Sequence, residues 1–160
     1  MNIAAHRHQR SQLYRLLAAV HAGPLGYSLM ETVRSAATGL LGLTELPGML
    51  PEPPAQSYGE SYGFCSGNPD LGCAATAPSD CLTGKFLYLA ASARKGATKR
   101  REREADYIEH ELLPCLETRI DEVTTDAHRQ LLVISRAIVR ADAACIRRYR
   151  DEADYAAQAG

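Results

Sequence analysis

Residues 126–157 read DAHRQLLVISRAIVRADAACIRRYRDEADYAA, and this stretch decides the fold. Its apolar side chains recur every three or four positions, the spacing that places them on one face of an α-helix. The residues expected to face inward are Leu131, Ile134, Ile138, Cys145, Ile146, Tyr149 and Ala153. Thr124, Thr125 and Asp126 offer side-chain oxygens that can cap a helix start. The pattern predicts one long helix that begins near Asp126 and runs to about Ala157.

The segment before it, from Thr98 to about Val123, carries a second helical pattern. Its apolar stripe consists of Ile108, Leu112, Leu116, Ile120 and Val123. Pro114 interrupts the stripe, and proline has no backbone N–H to donate to the preceding turn. We therefore expect a kink or a restart at Pro114. Two long amphipathic helices with a short connection predict an antiparallel hairpin.

The N-terminal part predicts two shorter helices. Leu13, Leu16, Leu17 and Val20 form one helical stripe, and the run at 22–26, Ala-Gly-Pro-Leu-Gly, ends it. The expected fold class is mostly α: a helical bundle with an N-terminal helical pair, an irregular connector rich in Cys, Pro and Gly, and a long C-terminal antiparallel helical hairpin. The boundaries that the sequence predicts for these parts of one compact domain are 1–46, 47–84 and 85–160.

Composition limits the function classes. The chain has 160 residues, of which 46% are hydrophobic, and 18 basic against 19 acidic residues give a net charge of −1. This balance argues against coating of nucleic acid over the whole surface, although it permits a local basic face. No window approaches the roughly 18 apolar residues that span a bilayer. No secretory signal is evident, so we expect a cytoplasmic protein with reduced thiols and no membrane association.

Three cysteines, Cys65, Cys73 and Cys81, recur at eight-residue intervals in a loop-like stretch that cannot bury much apolar surface. A tetrahedral zinc site needs a fourth ligand, for which Cys115 is the first candidate and His110 the alternative. The pattern thus predicts a zinc ion or an iron–sulfur cluster. It lacks the close Cys-x-x-Cys pair of most such sites, so a disulfide or redox pair and unpaired thiols stay open.

The run from Gly63-Phe64-Cys65 through Cys73 and Cys81 to Leu113-Pro114 resembles the cysteine-bearing C-terminal tails of some mobile-element tyrosine recombinases. Those tails carry a Cys-x-x-Cys pair that this chain lacks, and nothing in the chain matches a recombinase catalytic domain. The resemblance implies at most a phage or mobile-element origin.

Basic residues form the clearest charge feature. One cluster begins the helix predicted from Thr98, where cations oppose the helix dipole, and a second lies far along the last helix. An antiparallel hairpin brings the two clusters to one end, which predicts a surface for nucleic acid or an acidic protein; a solvated helix face is the alternative. The residues concerned are Arg94, Lys95, Lys99, Arg100, Arg101, Arg103, Arg136, Arg140, Arg147, Arg148 and Arg150.

Motifs for catalysis are missing: no nucleophile elbow, phosphate loop or dinucleotide fingerprint occurs. The leading hypothesis is a small non-enzymatic binding protein, a regulator or adaptor that engages nucleic acid or an acidic protein through its basic helical end. The second is a metal- or redox-dependent accessory protein, and the third is a structural helical homo-oligomer. The second hypothesis uses Cys65, Cys73, Cys81 and Cys115.

Overall fold

A computed structural model describes residues 1–22, 26–43, 81–123 and 126–159. The helices are α1 (Ile3–Ala22), α2 (Gly26–Leu41), α3 (Leu82–Lys95), α4 (Thr98–Tyr107), a π-helical turn (Ile108–Leu112), α5 (Leu113–Glu122), α6 (Asp126–Arg148) and α7 (Glu152–Gln158). These ranges contain no strand, and the predicted mostly α-helical bundle is confirmed. Most of the predicted connector, including Cys65 and Cys73, lies outside the described residues.

The core forms where α1 packs against α2 and α3, and where α6 packs against α2, α4 and α5. Large side chains from every layer are fully buried there, and they include Tyr14, Leu17, Phe86, Leu89, Leu112, Leu116 and Tyr155. The stripes predicted for the first helix and for the segment before α6 supply Leu17, Leu112 and Leu116 of this set. In the described part of the chain, no helix combines the length and apolar character needed to cross a membrane.

The helix that contains Pro114 does not stop at the proline. The helix widens into the π-helical turn just before the proline. There the backbone N–H of Leu113 donates to the carbonyl of Ile108, five residues earlier. Proline cannot donate to the carbonyl four residues back, and a wider turn absorbs that missing bond without ending the helix. The predicted irregularity at Pro114 is therefore a π-helical turn, and α5 follows it directly.

The last helix is shorter than predicted. α6 ends at Arg148, and Asp151 caps a new helix by accepting hydrogen bonds from the backbone N–H groups of Ala153 (2.8 Å) and Asp154 (3.3 Å). The prediction of one helix to Ala157 is wrong because the carboxylate at Asp151 starts α7 after a short break. Ala153, expected to face inward, is exposed, and the break instead turns Tyr155 into the core.

The link between α3 and α4 consists of Gly96 and Ala97, both with positive φ, at 65° and 79°. The positive φ at Gly96 favours glycine, whereas a Cβ there would meet only the movable end of the Arg7 side chain, 2.1 Å from its Nε. Ala97 pairs its positive φ with a ψ of 144°, a region that costs an L-residue about 1–3 kcal/mol. Local strain is thus stored between α3 and α4.

Replacing Ala97 with glycine is expected to stabilise the protein by about 1 kcal/mol, because glycine adopts this conformation without a Cβ clash. Urea unfolding monitored by circular dichroism measures the change. Ala91→Gly is the matched control: Ala91 is exposed inside α3, where the same substitution costs about 1 kcal/mol. Loss of stability in both variants would contradict strain at Ala97.

Candidate functional site

A buried guanidinium organises one end of the bundle. Arg10 of α1 is 3% exposed, and it binds Asp142 of α6 in a bidentate manner, with Nε–Oδ1 and Nη2–Oδ2 distances of 3.0 and 2.7 Å. Its Nη2 also lies 2.9 Å from Oε1 of Glu104 on α4. Although burial alone would lower the pKa of Arg10, these two carboxylates raise it well above its ordinary value. Arg10 is therefore a permanent buried cation.

Asp142 collects two further hydrogen bonds, donated by the hydroxyls of Tyr14 and Tyr155. Burial by itself would raise the pKa of Asp142, but the Arg10 charge and the hydrogen bonds outweigh it and hold that pKa below its usual value. The tyrosines respond in the opposite sense: burial, and then the Asp142 charge, raises both tyrosine pKa values. At neutral pH the centre is an ionised carboxylate with neutral phenols around it.

Glu104 is the second carboxylate that contacts Arg10. Its Oε2 accepts a hydrogen bond of 3.0 Å from the Ser92 hydroxyl of α3. Burial raises the pKa of Glu104, with the Arg10 charge acting against it. We call Arg10, Glu104, Asp142, Tyr14 and Tyr155 the buried charge cluster. It joins α1, α4, α6 and α7 in one set of contacts.

Arg101 extends this arrangement toward the surface. It is 2% exposed, and its guanidinium donates to the carbonyls of Tyr149 (2.5 Å) and Arg150 (2.9 Å), which follow the last residue of α6. Its Cζ lies 5.4 Å from the Tyr155 ring centroid, within cation–π range. Arg101 therefore fixes the break between α6 and α7 and has no guanidinium surface to offer a partner.

The buried charge cluster supports the fold rather than chemistry. Arg10, Glu104 and Asp142 are 3%, 1% and 0% exposed, so their charged atoms contact one another instead of solvent. The sequence contains a signal for this cluster. Arg10, Glu104 and Asp142 each continue an apolar helical stripe, in register with Tyr14, Ile108 and Ile138 respectively, and a charge in such a stripe indicates a buried ion pair.

Several of the predicted surface cations are engaged within the protein. Arg147 binds Asp106 and Glu109 at 2.5 and 3.1 Å. Arg136 and Arg140 share Glu117 at 2.8 and 2.9 Å. Arg148 lies over the ring of Tyr149, with Cζ 5.3 Å from its centroid. The first three have their charge compensated by a carboxylate, which weakens their attraction for a further anion.

The remaining cations lie on adjoining segments, namely the end of α3, the start of α4 and the turn after α6, and we call this set the basic end. Arg101 holds the Arg150 carbonyl beside α4, while the short link at Gly96 places the end of α3 next to the start of α4. Among the described residues none of these cations makes a salt bridge, and all are exposed except the half-buried Arg100. The basic end comprises Arg94, Lys95, Lys99, Arg100, Arg103 and Arg150.

The structure describes three of the five predicted metal ligands. Cys81 is buried at the start of α3, where its Sγ accepts from the Gly84 N–H at 3.2 Å, and Cys115 is half-buried in α5. Both thiols lie near Tyr107, whose pKa rises to about 12 through burial first, then through the charge of Glu111, with lesser effects from its neighbours. His110 is exposed in the π-helical turn.

Only one group of three metal-ligand side chains forms within the described ranges. Asp106, Glu109 and His110 place their ligand atoms within 4.8 Å of one another, all exposed, but Arg147 already binds both carboxylates. Cys81 and Cys115 do not join His110 in such a group. Because Cys65 and Cys73 lie outside the described residues, the four-cysteine zinc or iron–sulfur site stays a prediction.

Two histidines lie inside the core between α1 and α6. His21 donates from Nε2 to the Ser135 hydroxyl (2.8 Å), since that hydroxyl itself donates to the Leu131 carbonyl (2.8 Å). The His21 ring stacks on Phe86 at 5.7 Å and lies 6.4 Å from the ring of His128. Burial lowers the pKa of His21 to about 3 and that of His128 to about 4.

A third buried histidine, His6, packs edge-on against Tyr155 at 4.4 Å beside the buried charge cluster. Burial, with the positive charge of Arg10, lowers its pKa to about 4. At neutral pH all three histidines are uncharged apolar-like rings. They serve packing, and none of them is presented at the basic end.

No family model, no curated protein and no solved structure matches the chain. Among the residues that the structure describes, the basic end is the exposed feature with the most definite chemistry.

Proposed function

We propose that the protein is a small non-enzymatic binding protein, a regulator or adaptor, whose basic end engages an acidic segment of a partner protein. One observation carries this proposal: six cations on adjoining segments, namely the end of α3, the start of α4 and the turn after α6, make no salt bridge to any described residue. Uncompensated cations of one sign attract an anionic partner and accelerate its association.

The contacts that hold the backbone at the basic end in place favour binding. Arg101 holds the backbone at Arg150, and the buried charge cluster fixes α1, α4, α6 and α7 relative to one another. A preorganised surface loses less conformational entropy when a partner binds. The basic end is therefore better suited to a defined partner than a row of cations on a frayed helix.

The pattern of charge favours a protein over nucleic acid. Glu102 lies within the basic run, Asp151 directly follows Arg150, and both are exposed. The net charge of the whole chain is −1. A phosphate backbone is uniformly negative and would meet these carboxylates, whereas the spacing of acids on a protein segment can avoid them.

Neutralising the basic end is expected to weaken binding of a fluorescein-labelled peptide of alternating Glu and Ser. In Lys99→Gln/Arg103→Gln, two cations one helical turn apart are lost, and we expect the Kd to rise roughly tenfold. Fluorescence anisotropy measures the Kd. Arg136→Gln/Arg140→Gln is the matched control, because it removes two cations at the same spacing that already share Glu117.

The same titrations separate the alternatives. The wild-type Kd should rise with salt, as it does for contacts between exposed charges. An equal loss of affinity in the control pair would remove the basic end as the site. If a DNA duplex binds more tightly than the peptide and depends on Lys99 and Arg103, the partner is nucleic acid and the acidic-peptide proposal is overturned.

A further inference from the structure

A cleft of about 450 Å³ opens beside the basic end, where the residues after α2 meet the C-terminal half of α6. This volume lies within the range of roughly 300–1,000 Å³ found for ligand pockets. Leu41, Leu43 and Ala144 form apolar parts of its wall, together with the half-buried thiol of Cys145. A side chain of leucine or phenylalanine size fits such a space.

The charge of this cleft has one sign. Arg148 is the charged side chain among the described residues that line it, and none of those residues is acidic. Its guanidinium lies 5.3 Å from the centroid of the Tyr149 ring, which forms another part of the wall. An apolar wall with a cation complements an apolar group that is attached to a negative charge.

The cleft is continuous with the basic end along the backbone. Arg148 and Tyr149 line the cleft, and the next residue, Arg150, belongs to the basic end. Arg101 binds the carbonyls of both Tyr149 and Arg150, so this connection is fixed. Consecutive Cα atoms are about 3.8 Å apart, and an extended peptide therefore reaches from one to the other within a few residues.

We propose that the acidic partner segment carries an apolar anchor residue whose side chain enters this cleft while neighbouring carboxylates contact Arg148 and the basic end. This inference rests on the proposed function and adds to it the specificity of the partner. A basic surface by itself binds many acidic segments. An anchor residue in a cleft restricts binding to segments that have leucine or phenylalanine at the right position.

Two peptides of equal length and charge test the anchor: the Glu/Ser peptide, and the same peptide with its central Ser replaced by Leu. Burial of the leucine side chain is expected to lower the Kd of wild-type protein about tenfold or more. Ala144→Trp fills the cleft and should abolish this advantage. Ala91→Trp, an equal change at an exposed position of α3, should leave the advantage intact.

The outcomes distinguish the inference from the proposed function. Equal binding of both peptides, sensitive to Lys99→Gln/Arg103→Gln, would overturn the anchor and leave the basic end as the site. Absence of binding by either peptide would overturn both proposals. A leucine advantage that survives Ala144→Trp would place the anchor elsewhere. If wild-type protein dimerises in sedimentation and Ala144→Trp is monomeric, a second copy occupies the cleft and the peptide anchor is overturned.

Discussion

Replacing Arg10 with methionine is expected to destabilise the protein by about 3–5 kcal/mol, the cost of breaking a buried ion pair by removal of one partner. Methionine has a similar length and fills much of the same space, so the loss reflects charge more than volume. Asp142 and Glu104 would be left as neighbouring buried carboxylates without a cation. For a chain of this size each kcal/mol lowers Tm by about 2–4 °C.

Urea unfolding followed by circular dichroism measures this loss. Arg15→Met is the control, because Arg15 is exposed on the same helix and surface changes usually stay within about 0.5 kcal/mol. Similar losses in the two variants would show that Arg10 does not stabilise the buried carboxylates.

A compensated variant separates lost charge from lost packing and remains informative if Arg10→Met alone fails to fold. In Arg10→Met/Glu104→Gln/Asp142→Asn the two carboxylates become neutral amides. Buried ion pairs are often replaceable at little cost once no charge is left unpaired. The triple variant is therefore expected to be more stable than Arg10→Met, and a further loss of stability would contradict the electrostatic explanation.

Acidification from pH 7 to pH 5 is expected to cost several kcal/mol of stability, through the three buried histidines. Their folded pKa values, about 4 for His6 and His128 and about 3 for His21, lie below the unfolded value of about 6.5. Below pH 6.5 the unfolded chain binds more protons than the folded chain, so stability falls as the pH drops toward 4. At pH 5 each histidine thereby lowers the free energy of unfolding by about 2 kcal/mol.

Carboxylates modify this profile in defined directions. The raised pKa of Glu104 lets the folded protein take up a proton more readily, which opposes the histidines. The lowered pKa values of Asp142 and Glu152 add a loss of stability as the pH falls below their unfolded values, mostly under pH 5. The interval from pH 6.5 to pH 5 is thus where the histidines dominate.

His21→Gln tests the histidine contribution directly. Glutamine keeps a donor for the Ser135 hydroxyl but does not titrate, so the stability lost between pH 7 and pH 5 should be about 2 kcal/mol smaller than in wild type. His8→Gln, at an exposed position of the same helix, should retain the wild-type loss. A wild-type stability that is flat over this interval would contradict neutral buried histidines.

The sequence predicted the helical class because apolar spacing is a local signal, and the stripes around Leu17 and Leu116 are buried as expected. The prediction placed the end of α6 too late, because the apolar periodicity continues through Tyr149 to Tyr155. The break between α6 and α7 depends instead on contacts with Arg101, about fifty residues earlier in the chain. The sequence also predicted that the two basic clusters meet at one end, but which of their cations pair with a carboxylate such as Glu117 depends on where that carboxylate lies in space.

The buried charge cluster joins residues that are far apart in the chain: 132 positions separate Arg10 from Asp142, and Tyr155 follows thirteen positions later. During synthesis, α1 emerges from the ribosome long before α6 and α7 exist. α1 can pack against α2 and α3 once these are made, but the hydrogen bonds from Arg10 and Tyr14 to Asp142 form only after α6 has been made. The buried charge cluster is consequently completed only after translation of Tyr155, so it adds its stabilisation late, to helices that have already packed.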